Sequence, residues 1–243
     1  MKLTKPLLYG FCLAMLSACH TTWQANSVEA SYLKLESGNT AQDSALVALI
    51  QPYKDSMEKV MGDSLGTLPY RLVKEKPNGL LGMWTADLFR AGVSNRSGET
   101  VDIAVLNNGG IRRPYIGPGK VTRGEMYELM PFENRVMLLQ LDSAQVMQLA
   151  AFLAKKGGDP VSGLQIKQDS VLVVKADGKA LSNRKYTLCC TDYQYNGGDD
   201  YDFLQSFLVK QSDMGLLRDI LIESLNKGWC AAPPFEERRY QLD

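Results

Sequence analysis

Two glycine-rich loops contain residues that could bind a ligand, and each follows an apolar stretch predicted to be a strand. The first loop reads Asn-Asn-Gly-Gly-Ile-Arg at 107–112. Adjacent glycines let the backbone approach a ligand closely, and the short amide before them can fix the turn. The planar guanidinium group of the arginine suits phosphate or carboxylate. The candidates are Asn107, Gly109, Gly110 and Arg112, although Asn-Gly-Gly by itself is also an ordinary turn.

Aromatic side chains accompany a second set of polar residues. Phe132 follows a proline at a predicted helix-to-strand turn, where its ring could stand out as a stacking platform or, alternatively, fill the core. The segment 191–201 combines aromatic rings, a glycine pair and a carboxylate. Rings on both sides of a nucleobase bind it with little dependence on which base it is. The candidates in this segment are Tyr193, Gly197, Gly198 and Asp199.

Charge and histidine content argue against several other functions. The 27 Lys and Arg residues equal the 27 Asp and Glu residues, so no basic excess indicates a nucleic-acid partner. The single histidine, His20, precedes the predicted folded part. A two-metal hydrolytic site needs several histidines, a Ser-His-Asp triad needs one in the fold, and no P-loop pattern is present. We therefore predict no catalytic residue, metal site or cofactor in this chain.

The helices and strands that must position these residues are predicted to form one α+β domain, with a mixed β-sheet packed with helices. Apolar spacing predicts helices at 44–61, 80–91, 142–154 and 215–225. A capping box at Thr122 opens a shorter helix that runs to Met130, and Gly92 is predicted to end the second helix. Strands are predicted at 65–73, 101–106, 136–141, 186–191 and 238–242, and two strand pieces are predicted at 164–174.

The N-terminus has the features of an export signal. Two lysines precede a short apolar run at 7–16, and Leu-Ser-Ala-Cys then ends at Cys19. The run is too short to span a bilayer comfortably, and small residues before a cysteine are typical of a lipoprotein signal. An ordinary secretory signal is the alternative. We predict a signal peptide at 1–18, a tether at 19–41 that starts with lipidated Cys19, and the folded domain at 42–243.

Three cysteines lie within the predicted domain. Cys189 and Cys190 are adjacent on a predicted strand, so their side chains point to opposite faces. One could lie in the core while the other forms a disulfide with Cys230 in an oxidising compartment, and buried free thiols are an equal alternative. The spacing does not resemble a cysteine metal site, which needs clustered ligands.

Together, the candidate binding segments resemble the C-terminal domain of the 5′-nucleotidase/UDP-sugar hydrolase family. The family pattern is Asn-x-Gly-Gly-Ile-Arg, then Pro-Phe-x-Asn, then x-Gly-Gly-Asp-Gly followed by Phe or Tyr. Matching residues occur here in that order at 107–112, 131–134 and 196–201. The resemblance covers about residues 40–243 and implies the α+β fold of that domain.

The resemblance implies a role for each matching side chain. Phe132 and Tyr193 correspond to the two aromatic residues that clamp the nucleobase, although the family usually has Phe at the second position. Asp199 corresponds to the acid that binds the ribose hydroxyls. Asn107 and Arg112 correspond to polar ligands of the sugar or phosphate.

Two features depart from the family pattern. Asp200 replaces the usual glycine after the acid and must accept the backbone angle of that glycine, which Asp tolerates better than most residues. The family usually has a further arginine before its opening helix, which the segment 78–87 resembles here. The nearby candidates for this position are Arg71, Lys74 and Lys76.

The resemblance further implies a nucleotide or nucleoside ligand, with metal-dependent hydrolysis in a preceding domain of the full-length enzymes. We therefore expect this chain to recognise the nucleotide while a separate metallophosphatase chain supplies a divalent metal pair. Alternatives are a stand-alone nucleoside-binding lipoprotein, a hydrolase that is active alone, and a structural envelope protein that kept only the fold. The expected location is the bacterial cell envelope, on the membrane through the lipid anchor, with the outer membrane favoured because position 20 is not Asp.

Overall fold

A computed structural model of the protein describes residues 27, 29–32, 42–232 and 238–242. They fall into two compact units, Met1–Leu49 and Ile50–Asp243, and the boundary lies within the first helix. The described residues of the first unit are exposed, and those before residue 42 hold no helix or strand. The predicted leader at 1–18 and Cys19 lie outside the described residues, so both stay predictions, as do the domain limits.

The described residues form six α-helices and thirteen strands. The helices are α1 (Ser44–Met61), α2 (Leu80–Ser97), α3 (Arg123–Leu129), α4 (Ser143–Lys155), α5 (Asp192–Tyr195) and α6 (Leu217–Asn226). The strands are β1 (Ser64–Leu68), β2 (Leu72–Val73), β3 (Ile103–Val105), β4 (Tyr115–Ile116), β5 (Gly119–Thr122), β6 (Val136–Leu141), β7 (Val161–Ser162), β8 (Leu164–Gln168), β9 (Leu172–Ala176), β10 (Lys179–Ala180), β11 (Tyr186–Thr191), β12 (Leu208–Gln211) and β13 (Tyr240–Leu242). No helix in this part of the chain is both long enough and apolar enough to cross a membrane.

The central sheet has five strands in the order β12-β6-β11-β3-β7. Strand β11 runs parallel to β3, with Leu188 opposite Ile103, and antiparallel to β6, with Thr191 opposite Val136. Every residue of β11 is buried because the sheet is covered on both faces. This mixed sheet, packed with helices in one α+β domain, confirms the predicted fold class.

Side chains of the central sheet alternate between two hydrophobic clusters, one on each face. Cys189 belongs to the cluster that α2, α3 and α6 cover, whereas Cys190 belongs to the cluster formed with α4 and the second sheet. Both thiols are buried, and burial raises their pKa values. Neither forms a disulfide with Cys230. The alternative of a disulfide to Cys230 is therefore wrong, and burial of both thiols is confirmed.

The second sheet has four strands in the order β10-β9-β8-β13, and its apolar side packs with α4. Strand β13 pairs in parallel with β8, with Tyr240 opposite Ile166, and forms the predicted closing edge strand. Asn78 holds this strand, because its side chain accepts from the backbone N–H of Tyr240 (2.9 Å) and donates to the carbonyl of the same residue (2.8 Å). Two short antiparallel pairs, β1–β5 and β2–β4, complete the sheets of the described residues.

Three helices begin with a capping box, in which side chains satisfy backbone N–H groups at the start of the helix. At α3, Thr122 accepts from the backbone N–H of Glu125 (3.3 Å), and Glu125 accepts from that of Thr122 (3.0 Å). This arrangement confirms the predicted start of α3. Equivalent boxes at Asp142 and Thr191 open α4 and α5, and the second of these fixes the short helix that carries Tyr193.

Helix α2 does not end at Gly92, so that part of the prediction is wrong. The helix continues to Ser97, and Gly98 caps it in the left-handed conformation (φ 71°). Gly92 instead lies where α2 packs against α6, because a Cβ there would come within 2.2 Å of Ser224 Oγ and 2.5 Å of Ile220 Cγ2. The glycine permits close packing of α2 against α6. In the sequence, a glycine with this role looks the same as a glycine that ends a helix.

We expect Gly92→Ala to destabilise the protein by about 1–3 kcal/mol, because the new methyl group overpacks the contact between α2 and α6. This cost exceeds the gain in helix propensity from Gly to Ala, which is about 1 kcal/mol at most. Urea unfolding followed by circular dichroism measures the change. Gly117→Ala is the matched control, since a Cβ at that position meets no atom within 4 Å. An unchanged or higher midpoint for Gly92→Ala would contradict this packing role.

Candidate functional site

The three candidate binding segments meet at one edge of the central sheet. The parallel strands β3 and β11 end at this edge, and the antiparallel strand β6 begins there. The loops at 106–112 and 192–201 therefore lie beside the turn at 131–135, outside the carboxyl ends of two parallel strands, where ligands bind in many open sheets. The segments enclose a cleft of about 320 Å³. Its lining residues are Asn107, Gly109, Gly110, Arg112, Phe132, Asn134, Tyr193 and Asp199.

The structure brings together all five predicted side chains and the first glycine pair, but the second glycine pair does not line this cleft. Gly197 and Gly198 line a neighbouring depression that also includes Tyr193. A Cβ at Gly198 would lie 2.4 Å from Cζ of Tyr193, so the glycine allows the ring to lie against the backbone. Gly197 has φ 93°, and a Cβ there would lie 2.3 Å from Oδ1 of Asp202. These glycines shape the loop that carries the ligand-facing groups.

A hydrogen bond joins the two glycine-rich loops. The side-chain amide of Asn107 donates to Oδ2 of Asp199 (2.7 Å). Asn107 is buried, and Gly110 leaves room for it, because a Cβ at 110 would lie 2.9 Å from Oδ1 of Asn107. A hydrogen bond to an ionised carboxylate is stronger than one between neutral groups, so Asn107 helps to hold Asp199 in a fixed position.

The backbone of the second loop is strained at two consecutive residues. Asp199 has φ 54° and ψ 39°, and Asp200 has φ 65°. Both lie in the left-handed region, which short polar side chains such as Asp tolerate better than most. Asp200 thus adopts a backbone angle typical of glycine, as the family pattern implies for its position. Such conformations cost free energy and persist only where surrounding contacts impose them.

The rings of Phe132 and Tyr193 are both accessible from the cleft. They are 42% and 44% exposed, respectively, so Phe132 does not fill the core. The guanidinium carbon of Arg112 lies 5.8 Å from the centre of the Phe132 ring, within cation–π range. Arg112 also donates to the carbonyl of Gly109 (3.3 Å). Two accessible rings and a guanidinium group can bind a planar ligand that carries negative charge.

The hydroxyl group of Tyr193 contacts the same carboxylate as Asn107. It donates to Oδ1 of Asp199 (3.3 Å). The negative charge of Asp199 raises the pKa of Tyr193, and partial desolvation adds to this effect. The phenol therefore stays protonated and remains a donor at neutral pH.

Lys74, one of the three cations that the sequence left unassigned, does not line the cleft but contacts the loop that carries Arg112. Its ammonium group donates to the carbonyl of Ile111 (2.7 Å), and its pKa is lowered by burial, then by the charges of Arg112 and Lys76. Ile111 directly precedes Arg112, so the contact of Lys74 with its carbonyl adds positive charge near Arg112. By contrast, Arg71 lies over the ring of Tyr115 and Lys76 pairs with Asp159. Only the spacing before α2 could have indicated Lys74 in the sequence.

Asn134 lines the cleft but lies outside the predicted set. It lies in the Pro-Phe-x-Asn segment, and its backbone carbonyl accepts from the N–H of Leu217 at the start of α6 (2.9 Å). This bond anchors the turn that carries Phe132, while the side chain lines the cleft.

The described residues do not fit a metal pair. Across 27, 29–32, 42–232 and 238–242, no group of three or more His, Cys, Asp or Glu side chains is arranged to hold a metal ion.

A larger cavity of about 560 Å³ lies elsewhere, between α2 and the second sheet. Its charged groups pair with each other. Arg239 contacts Asp87 (2.5 Å), and Arg90 contacts Asp177 (2.6 Å). Trp229 lines this cavity, but none of the candidate residues does, so the smaller cleft is the better site.

Comparison with known proteins identifies a family and several similar proteins. A family profile described as 5′-nucleotidase, C-terminal domain, matches residues 60–206, more than half of the chain. Protein UshA of Yersinia enterocolitica is 26% identical over 180 residues, which cover 69% of this chain and 32% of that protein. Cell wall protein Lmo0130 of Listeria monocytogenes is 24% identical over 198 residues, which cover 69% of this chain and 25% of that protein. The chain thus spans no more than about a third of these relatives.

A solved structure shares the fold. The 5′-nucleotidase precursor from Thermus thermophilus superposes with a TM-score of 0.64 at 22% identity, covering 82% of this chain and 42% of that chain. At this identity the likeness establishes the arrangement of helices and strands, while the roles of individual side chains depend on the cleft itself.

We expect Asp199→Asn to lower the pKa of Tyr193, because the substitution removes the negative charge that disfavours the phenolate. Ring resonances of ¹³C-labelled tyrosine, followed from pH 8 to pH 12, measure the shift, and the Tyr193→Phe variant assigns the signal. Asp202→Asn is the control, since it also removes an acidic charge in the same loop but leaves Asp199 in place. Equal midpoints in the parent and in Asp199→Asn would show that the hydroxyl and the carboxylate do not interact.

Proposed function

The chain belongs to the 5′-nucleotidase C-terminal domain family, and from that premise we propose that its folded domain recognises a nucleotide or nucleoside in the cleft. The nucleobase lies between Phe132 and Tyr193. The carboxylate of Asp199 accepts hydrogen bonds from the ribose hydroxyls, and Asn107 supports that carboxylate. A single observation carries this proposal: two exposed aromatic rings and an acid already held by an amide line the same cleft.

Stacking would provide much of the affinity. A base stacked on an aromatic side chain typically contributes about 1–3 kcal/mol, and it does so for any base because every base has a π-face. The exposure of both rings supports this role, since part of each ring is accessible without rearrangement of the core. The domain is therefore expected to accept several bases rather than one.

The phosphate would lie near Arg112 and Lys74. A guanidinium group offers a planar donor fork to phosphate oxygens, and an ammonium group adds a second positive charge. The hydrogen bond from Lys74 to the carbonyl of Ile111, the residue before Arg112, supports their proximity. An anionic phosphate between the two cations would relieve their repulsion, so a nucleotide should bind more tightly than the matching nucleoside.

Hydrolysis of the phosphate ester is proposed to occur on a separate metallophosphatase chain that supplies the divalent metal pair. The histidine content supports this division, because the sequence has one histidine, His20, whereas a two-metal site needs several. A metal pair stabilises both the attacking and the leaving oxygen, a task for which the described residues of this domain offer no ligand cluster.

The proposed location is the bacterial cell envelope, with the domain held at a membrane, favoured to be the outer membrane, through lipid on Cys19. The N-terminal sequence pattern supports this, and one similar protein is named a cell wall protein. This location also favours a second function, a stand-alone nucleoside-binding lipoprotein without a hydrolytic partner. The two functions differ in whether a metallophosphatase chain binds the domain.

We expect Phe132→Ala to weaken binding of adenosine and AMP by about 1–3 kcal/mol, because it removes one stacking face. Isothermal titration calorimetry of the purified protein, with and without divalent metal, measures the change. Tyr115→Ala is the matched control, because that ring is also 42% exposed but does not line the cleft. Equal affinity of Phe132→Ala and the parent would show that the ring does not clamp the base.

We expect the purified chain to release no phosphate from AMP or UDP-glucose in the presence of Mn²⁺ or Zn²⁺, since the metal ligands lie on the partner. Adding a metallophosphatase chain encoded beside it should produce phosphate release that Phe132→Ala reduces. Release by this chain alone, sensitive to a chelator and to Phe132→Ala, would instead establish a self-sufficient hydrolase.

A further inference from the structure

One buried carboxylate near the cleft has no part in the function proposed above. Asp159 follows α4, is 1% exposed and does not line the cleft. An ionised carboxylate in such a position is costly unless charges and hydrogen bonds compensate for the lost water. The groups that contact its carboxylate therefore indicate its role.

Both oxygens of Asp159 are engaged. Oδ1 accepts from the backbone N–H of Asn108 (3.2 Å) and lies 3.0 Å from the ammonium group of Lys76. Oδ2 accepts from the hydroxyl group of Tyr201 (2.9 Å) and lies 3.7 Å from the ammonium group of Lys156. Burial, and then the charge of Asp159, raise the pKa of Tyr201, so its hydroxyl remains a donor.

These partners belong to the two loops that form the cleft. Asn108 directly follows Asn107, and Tyr201 lies two residues after Asp199. Lys156 provides a further link, because its ammonium group donates to the backbone carbonyl of Asp199. One buried carboxylate is thus bonded to the first loop and, directly and through a lysine, to the second.

The fold also fixes Asp159 from the opposite side. Its backbone carbonyl accepts from the hydroxyl group of Tyr240 in β13 (2.5 Å). Strand β13 is held in turn by Asn78 and by pairing with β8. Asp159 is therefore fixed by contacts with the rest of the fold, and its carboxylate holds both loops.

We propose that Asp159 is a positioning residue for the ribose side of the cleft. It holds the Asn107 loop and the Asp199 loop at the separation at which the Asp199 carboxylate can accept hydrogen bonds from the ribose hydroxyls. This inference rests on the proposed function. It also accounts for the strained backbone of Asp199 and Asp200, which the Tyr201 and Lys156 contacts hold in place.

Recognition of the ribose and stacking of the base depend on different residues. Phe132 lies on the turn between α3 and β6, and Tyr193 lies on α5, whose capping box at Thr191 does not involve Asp159. Loss of Asp159 should therefore impair ribose recognition while stacking on Phe132 persists. A residue that served only stability would not distinguish ligands with and without ribose hydroxyls.

The test compares adenosine with 2′,3′-dideoxyadenosine by calorimetry for the parent, Asp159→Asn and the milder Tyr201→Phe. The parent should prefer adenosine by about tenfold or more, because hydrogen bonds to a charged group are strong. Asp159→Asn should lose most of that preference, with the affinity for the dideoxy ligand changed less than about threefold. Asp102→Asn is the matched control, because Asp102 is a buried carboxylate that pairs with Arg184 away from the cleft.

Hydrogen exchange of the purified proteins tests the geometry without any ligand. Asp159→Asn should speed amide exchange in both loops, 107–112 and 196–201, whereas Asp102→Asn should not. A folded Asp159→Asn variant that keeps the parent's ligand preference, or weakens both ligands equally, would overturn the positioning role. Failure of the parent to bind either ligand would overturn the proposed function. The hydrogen-exchange rates of the two loops would then be the test of the positioning role.

Discussion

The parallel pairing of β11 with β3 is the constraint on which the site depends. It sets Leu188 against Ile103 and Cys189 against Ala104, with both strands buried. Parallel neighbours end at the same edge of a sheet, so this pairing alone brings together two loops whose site residues, Asn107 and Asp199, are 92 residues apart. The antiparallel neighbour β6 begins at that edge and adds the turn with Phe132.

Two hydrophobic clusters keep this pairing in place, and polar contacts then refine the loops. The sheet is covered by α2, α3 and α6 on one face and by α4 with the second sheet on the other. Apolar burial supplies most of the stability of such a core, but it does not precisely fix the positions of the loops at the edge of the sheet. The precision comes from the Asn107–Asp199 bond and from the links of Asp159 to both loops.

The sequence was sufficient to predict the fold class and seven of the eight residues that line the cleft, because these have local signatures. Buried strands such as β11 are apolar runs, and the capping box at Thr122 is a four-residue pattern. Resemblance to a family joined three separate loop motifs into one site. The roles assigned to the side chains remain proposals, whereas their presence in one cleft is a structural fact.

The remainder could not be predicted because it depends on contacts between distant segments. Gly92 looks like a helix end in the sequence, yet it serves the packing of α2 on α6. Strands β7 and β10 have two residues each, too few for any periodicity. Asp159 is one acidic residue in a turn, and only the folded chain shows that it contacts Asn108 and Tyr201.

The most direct test of the central claim is a set of intermolecular nuclear Overhauser effects between bound adenosine and the protein. Stacking between the two rings predicts contacts from the protons on the adenine ring carbons to the ring protons of both Phe132 and Tyr193. Tyr115, which is equally accessible but outside the cleft, should show none. Bound adenosine with contacts to neither ring, or with contacts only to residues of the larger cavity beside α2, would contradict the account.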